Sequence, residues 1–141
     1  MNPDAYQYNL DHWDSAHIMA RKNRRPTCNG RYDSVGVDLN RNYDFAWSVD
    51  NQGSNPDPCA EDYRGERAFS EPETLAIKSL VENHHFSIAL NWHSYGQVTN
   101  LPYGTNAVPA LSVDVADTYI SLATAYKRYA GWDYGHPGMC A

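Results

Sequence analysis

The strongest pattern in the chain begins at Ser70. Ser70-Glu71-Pro72-Glu73 has the form of a capping box, with Ser as N-cap, Pro early in the first turn and Glu at the third helical position. Leu75, Ala76, Ile77, Leu80 and Val81 then recur on one face of a helical period, which predicts a helix from Ser70 to about His84. Phe86 to Trp92 follows as a mostly apolar run and is predicted to be a buried strand. A second helix is predicted from about Ala110 to Ala130, stopped by Gly131. Residues 1–70 are dominated by turn chemistry: Asn2-Pro3-Asp4, Asn29-Gly30, Gly53-Ser54-Asn55-Pro56-Asp57-Pro58 and Arg64-Gly65. Within them Ser34 to Leu39 reads as a short strand that runs directly into Asn40-Arg41-Asn42.

Helix, strand, loop and helix at these spacings predict an α/β layer with a parallel or mixed sheet. Ligands of such sheets sit beyond the carboxyl ends of the strands. His93 stands just past one predicted strand end, and Asn40-Arg41 just past another.

Composition narrows the field of partners. The chain has 141 residues, a single-domain length, and its 42% hydrophobic and 20% charged residues are ordinary for a globular domain. Eleven Tyr and four Trp suit a cleft that is half apolar and half polar, or simply Tyr-rich surface loops. A net charge of −6 argues against a nucleic-acid backbone or an anionic membrane as partner. Arg21-Lys22-Asn23-Arg24-Arg25 is a local basic exception. No apolar stretch approaches a membrane span. The polar start fits a cytosolic chain, or one whose natural N-terminus lies elsewhere. Cys28, Cys59 and Cys140 are an odd number, which would make sense if Cys140 paired beyond Ala141.

Several residues could carry chemistry, and each has a plainer reading. His93 is placed to point into a cleft, but a single His is as readily a loop hydrogen-bonding group. His12, His17, His84, His85 and His136 supply no second ligand at diagnostic spacing, whereas catalytic zinc needs three protein ligands and an open position. Arg41 offers a rigid fork that grips a carboxylate through two parallel hydrogen bonds, and Asn40 adds an amide donor. The pair could equally serve a structural contact with one of the 17 acidic residues. Arg21 is a third cation. Asp38 could orient a metal-bound histidine or cap a turn.

The order of the motifs carries more than any one of them. Asn2-Pro3-Asp4, Ala20-Arg21-Lys22-Asn23-Arg24 and Gly36-Val37-Asp38-Leu39-Asn40-Arg41-Asn42-Tyr43-Asp44 are followed by Tyr63-Arg64-Gly65. Ala68-Phe69-Ser70-Glu71-Pro72-Glu73, His93-Ser94-Tyr95 and Pro102-Tyr103-Gly104 complete the series. In this order and near this spacing the chain resembles the carboxypeptidase A/B family of zinc metallocarboxypeptidases. One departure is Ala5, where the family usually has Gly.

The resemblance implies a mixed-sheet α/β/α domain of the phosphorylase/hydrolase-like kind, of which residues 1–141 would be the central part, truncated at both ends. It implies His93 as a Zn2+ ligand and Asp38 as partner of a zinc-bound histidine. Arg21 would polarise the scissile carbonyl and steady the oxyanion, the kind of donor worth about 10²–10³ in rate. Asn40 and Arg41 would hold the terminal carboxylate of a peptide or protein substrate, and Tyr95 would line a subsite after a cis Ser94–Tyr95 bond. Cys28 and Cys59 would form a disulfide, which favours an extracellular setting. The family's His-x-x-Glu ligands and catalytic Glu fall outside the match, so the 141 residues alone are expected to be inactive and to bind zinc weakly. Two other readings remain: a non-catalytic homologue that binds peptide C-termini through Asn40-Arg41, and an acidic α/β domain with only a historical likeness.

Overall fold

In a computed structural model describing residues 2–13, 20–30, 34–93, 98–103, 109–131 and 133–135, the first regular element is helix α1, Pro3–Asp11. The Asn2 side chain accepts from the Ala5 N–H at 3.2 Å, and Pro3 opens the first turn, where it forfeits no helical bond. Ala5 is therefore an ordinary helical residue, buried together with Tyr8. The described residues divide into two compact units, Met1–Ser87 and Ile88–Ala141.

The first unit has a largely polar centre. Its largest fully buried side chains are Glu71, Val37, Asn42 and Thr74, with Val35, Cys28 and Tyr63 also buried. The strand predicted over Ser34 to Leu39 does not form. Gly36 has φ +102°, and a Cβ there would overlap the Asn23 carbonyl oxygen. The chain crosses Asn23 too closely for a pleated ribbon. Asn23 instead pairs with Val37 through its own N–H (2.9 Å to the Val37 carbonyl) and its side-chain oxygen (2.8 Å from the Val37 N–H). The Asp38 N–H donates to the Tyr63 carbonyl at 2.9 Å. The segment is thus fixed like a strand without being one. The 3-10 turn Leu39–Arg41 follows at once.

Helix α2 spans Pro72–Asn83, close to the predicted range. Its cap differs from the expected box: Glu71 is the N-cap, without a capping side-chain bond. The Ser70 hydroxyl is diverted to donate to the Glu71 carboxylate at 2.6 Å. The apolar face that predicted the helix is partly exposed, with Leu75 and Leu80 each at 46%. Cys28 and Cys59 form a disulfide with a Cα–Cα distance of 4.7 Å across 31 positions.

The second unit is a small parallel βαβ arrangement. Strand β1 (Val98–Asn100) pairs in parallel with β2 (Asp133–Gly135), in register Val98↔Asp133 to Asn100↔Gly135. Parallel neighbours require a long crossover, here helix α3, Val113–Ala130. It ends at Gly131, as expected, in the left-handed conformation (φ 73°), with the Gly131 N–H donating to the Lys127 carbonyl at 2.8 Å. Asp114 in the first turn and Lys127 and Arg128 in the last match the helix dipole. Phe86 to Trp92, predicted as a buried strand, has no ladder partner among the described residues. Ile88, Leu90 and Trp92 are exposed: an apolar run becomes a buried strand only when neighbours supply hydrogen bonds and cover. Among the described residues no helix is long and apolar enough to cross a membrane.

Candidate functional site

Three residues, Arg21, Asn40 and Arg41, meet in the first unit around one buried carboxylate. Asp38 caps the Leu39–Arg41 turn: its Oδ1 accepts from the Asn40 N–H at 3.1 Å and its carbonyl accepts from the Arg41 N–H at 2.8 Å. The turn directs Asn40 and Arg41 outward from a fixed base. Asp38 Oδ2 lies 2.7 Å from an Arg21 terminal nitrogen and 3.9 Å from Arg41 Nε. The Arg41 contact is too long for a hydrogen bond and the Arg21 contact is an ion pair without hydrogen-bond alignment, leaving Oδ2 and Arg41 Nε with no hydrogen-bond partner among the described residues. The Asp38 side chain is 3% exposed, against 49% for Arg21 and 32% for Arg41.

This geometry sets the electrostatics. Burial pushes the Asp38 carboxyl above its ordinary value, against the opposing pull of Arg21, Arg41 and the Asn40 N–H. Two guanidiniums share one buried carboxylate, so the cluster carries a surplus positive charge on its exposed side. Among the described residues the Asn40 amide makes no side-chain hydrogen bond. A surplus cation beside an uncommitted amide is the donor set for a small anion such as a carboxylate.

The base of the turn is held by a buried polar network. Asn42 Nδ2 donates to the carbonyls of Arg64 (2.8 Å) and Arg67 (3.1 Å) and to Ser70 Oγ (2.9 Å). Asn42 Oδ1 accepts from Thr74 Oγ1 (2.7 Å) and the Glu71 N–H (3.2 Å). Glu71 in turn accepts from Asn23 Nδ2 (2.7 Å), Arg25 Nη1 (2.8 Å) and Ser70 Oγ (2.6 Å). Burial favours the neutral Glu71 acid, but the bonds from Ser70, Asn23 and Arg25 outweigh it and hold the carboxyl below its ordinary range. Lys22, buried beside Arg21, donates to the carbonyls of Ser34 (2.6 Å), Ala60 (2.9 Å) and Pro58 (3.4 Å). Lys22 is therefore a structural cation, and burial lowers its pKa.

Of the residues singled out from sequence, Arg21, Asp38, Asn40 and Arg41 come together. His93 belongs to the second unit and is exposed. Tyr95 and the Ser94–Tyr95 bond lie outside the described residues. Asp38 serves the turn and the two arginines, the plainer of its two readings joined to a new one. Among the described residues no group of three His, Cys, Asp or Glu side chains is arranged to hold a metal, so these residues do not by themselves form a zinc site. Sequence reasoning missed the Asn23–Glu71–Asn42 network. Its only advance signal was three amide or acid side chains lying next to turn residues.

The zinc carboxypeptidase family model matches residues 1–138. A metallocarboxypeptidase A-like protein of Trichophyton verrucosum is 39% identical over 145 residues, covering 99% of this chain and 32% of that protein. The crystal structure of a carboxypeptidase A from Helicoverpa armigera superposes with a TM-score of 0.71 at 28% identity, over 96% of this chain and 32% of that one. Bovine thrombin-activatable fibrinolysis inhibitor, solved with a tick carboxypeptidase inhibitor, gives a TM-score of 0.74 at 27% identity, over 96% of this chain and 45% of that one. The chain spans about a third of the length of the curated relatives it matches.

Proposed function

The chain belongs to the zinc carboxypeptidase family, and from that premise we propose that the protein carrying it is a metallocarboxypeptidase that hydrolyses the last peptide bond of a polypeptide and releases one amino acid. The observation that supports this is the pairing of Arg21 and Arg41 on buried Asp38, next to Asn40, whose amide has no hydrogen-bond partner among the described residues. Asn40 and Arg41 receive the terminal carboxylate of the substrate, which restricts cleavage to the chain end. Arg21, more exposed and 20 positions earlier, polarises the scissile carbonyl and stabilises the oxyanion that develops on it. Asp38 holds the two guanidiniums apart and in place.

Zinc in this family supplies Lewis-acid and water-activating chemistry. His93 is the residue of this chain proposed as one ligand, and Tyr95 as lining for a substrate subsite. The other ligands and the general base are assigned to the two thirds of the relatives' length that this chain does not span. The Cys28–Cys59 disulfide supports action in an oxidising, extracellular compartment.

The test uses full-length protein with matched peptides bearing a free or an amidated C-terminus. The free-terminus peptide is expected to be cleaved and the amidated one to resist. Arg41→Ala should raise KM for the free-terminus peptide about 10–100-fold, the value of one hydrogen bond to a charged group. Equal cleavage of both peptides, or an unchanged KM in Arg41→Ala, would rule out the carboxylate clamp.

A further inference from the structure

Arg21 sits on a backbone that belongs to neither helix nor sheet, and two amide side chains of one helical segment anchor it. Asn9, inside α1, closes a two-bond ring on Ala20: Asn9 Nδ2 donates to the Ala20 carbonyl at 3.1 Å, and the Ala20 N–H donates to Asn9 Oδ1 at 2.8 Å. This is the pairing a neighbouring strand would provide. Asn2, the N-cap of α1, donates from Nδ2 to the Arg21 carbonyl at 2.8 Å while its Oδ1 holds the Ala5 N–H. The next backbone anchor is the Asn23–Val37 pair. At the far end of the side chain the guanidinium meets Asp38 at 2.7 Å.

We propose that Asn2 and Asn9 are positioning residues for Arg21, and that α1 acts as the bracket setting where its guanidinium stands above the substrate carbonyl. The inference rests on the role proposed for Arg21 above. An arginine side chain that is half exposed owes its position to its two ends. One end is Asp38; the other is the Ala20-Arg21 backbone, whose described hydrogen bonds all come from these two asparagines. Displacing that backbone by about 1 Å moves the donor off the developing oxyanion, and misplacements of that size are worth up to about 10²-fold in rate. The terminal carboxylate contacts belong to Asn40 and Arg41, so the effect falls on kcat more than on KM.

The two tethers can be cut without unmaking the helix. Asn2→Ser keeps an oxygen able to cap Ala5 but loses the amide that reaches Arg21. Asn9→Ala removes both Ala20 bonds while placing the best helix former inside α1. The experiment measures kcat and KM of full-length protein for a free-terminus peptide in these variants and in their double, each with Arg21 and with Arg21→Ala. The expected result is a fall in kcat of about tenfold in the double variant, little change in KM, and no further loss once Arg21 is absent. An unchanged kcat, or the same loss in the Arg21→Ala background, overturns the inference while leaving the role of Arg21 intact. Wild-type turnover in Arg21→Ala itself removes that role and this inference with it. If the double variant does not fold, Asn2→Ser alone decides: it breaks one bond and is expected to lower kcat several-fold only when Arg21 is present.

Discussion

Replacing Glu71 tests whether the buried network is the foundation of the site. The Glu71 side chain is completely buried, and its carboxylate accepts from Asn23, Arg25 and Ser70. In Glu71→Ala these three donors lose their acceptor, but not equally. Arg25 is 37% exposed and has a second partner in Glu66 at 3.0 Å, so water and Glu66 recover most of its loss. The Asn23 amide is 2% exposed and has no such recourse. A buried donor left unsatisfied costs about 1–3 kcal/mol, and the cavity and stranded Ser70 hydroxyl add to it. The expected total is about 2–4 kcal/mol, one buried amide donor left unsatisfied plus the cavity left by the side chain. Glu71→Gln keeps the shape and one acceptor, and about 1–3 kcal/mol is expected.

Urea unfolding of full-length protein reads this as a shift in midpoint at constant slope. The pH dependence provides a second reading. Glu71 has a folded pKa below its ordinary 4.5. Its contribution is therefore complete above about pH 4.5 and is lost as pH falls through the folded value. Asp38, raised by burial, works in the opposite sense, so the difference between wild type and Glu71→Gln isolates Glu71. That difference should shrink below pH 4.5. A Glu71→Ala loss under 1 kcal/mol, or a gap that does not narrow in acid, would refute the reasoning. Asn23 also pairs with Val37, next to Asp38, so kcat/KM should fall in the same variants even under conditions where they stay folded.

Two further outcomes follow from the structure and the proposal. Cys28→Ser with Cys59→Ser, which removes the link across 31 positions, should lower stability by about 3.5 kcal/mol on the loop-entropy argument; a thermal melt of the full-length variant against wild type checks this. Chelation of the full-length protein should abolish hydrolysis and added zinc restore it, whereas binding of a free-terminus peptide, followed by calorimetry, should survive chelation and weaken about 10–100-fold in Arg41→Ala.

What the sequence revealed and what it hid divide along a physical line. Periodicity located α2 and α3 closely, because a helix closes its own hydrogen bonds and needs little from elsewhere. The same apolar logic failed at Ser34 to Leu39 and at Phe86 to Trp92. A strand is defined by its neighbours, and neither the steric demand at Gly36 nor the absence of a ladder partner among the described residues is written locally. The candidate site shows the same division. Arg21, Asp38, Asn40 and Arg41 could be picked out by residue type and motif order. Their arrangement could not, since it depends on amide side chains that substitute for secondary structure: Asn23 for a strand beside Val37, Asn42 for a turn's missing donors, Asn9 for a strand beside Ala20. Such asparagines leave no period and sit equally well in any loop. The chemistry of this site is thus legible from its charged residues, while its precision resides in neutral ones. Substitutions at Asn2, Asn9, Asn23 and Asn42 are accordingly expected to affect turnover or stability more than substitutions among exposed acids such as Asp44, Asp57 and Glu82.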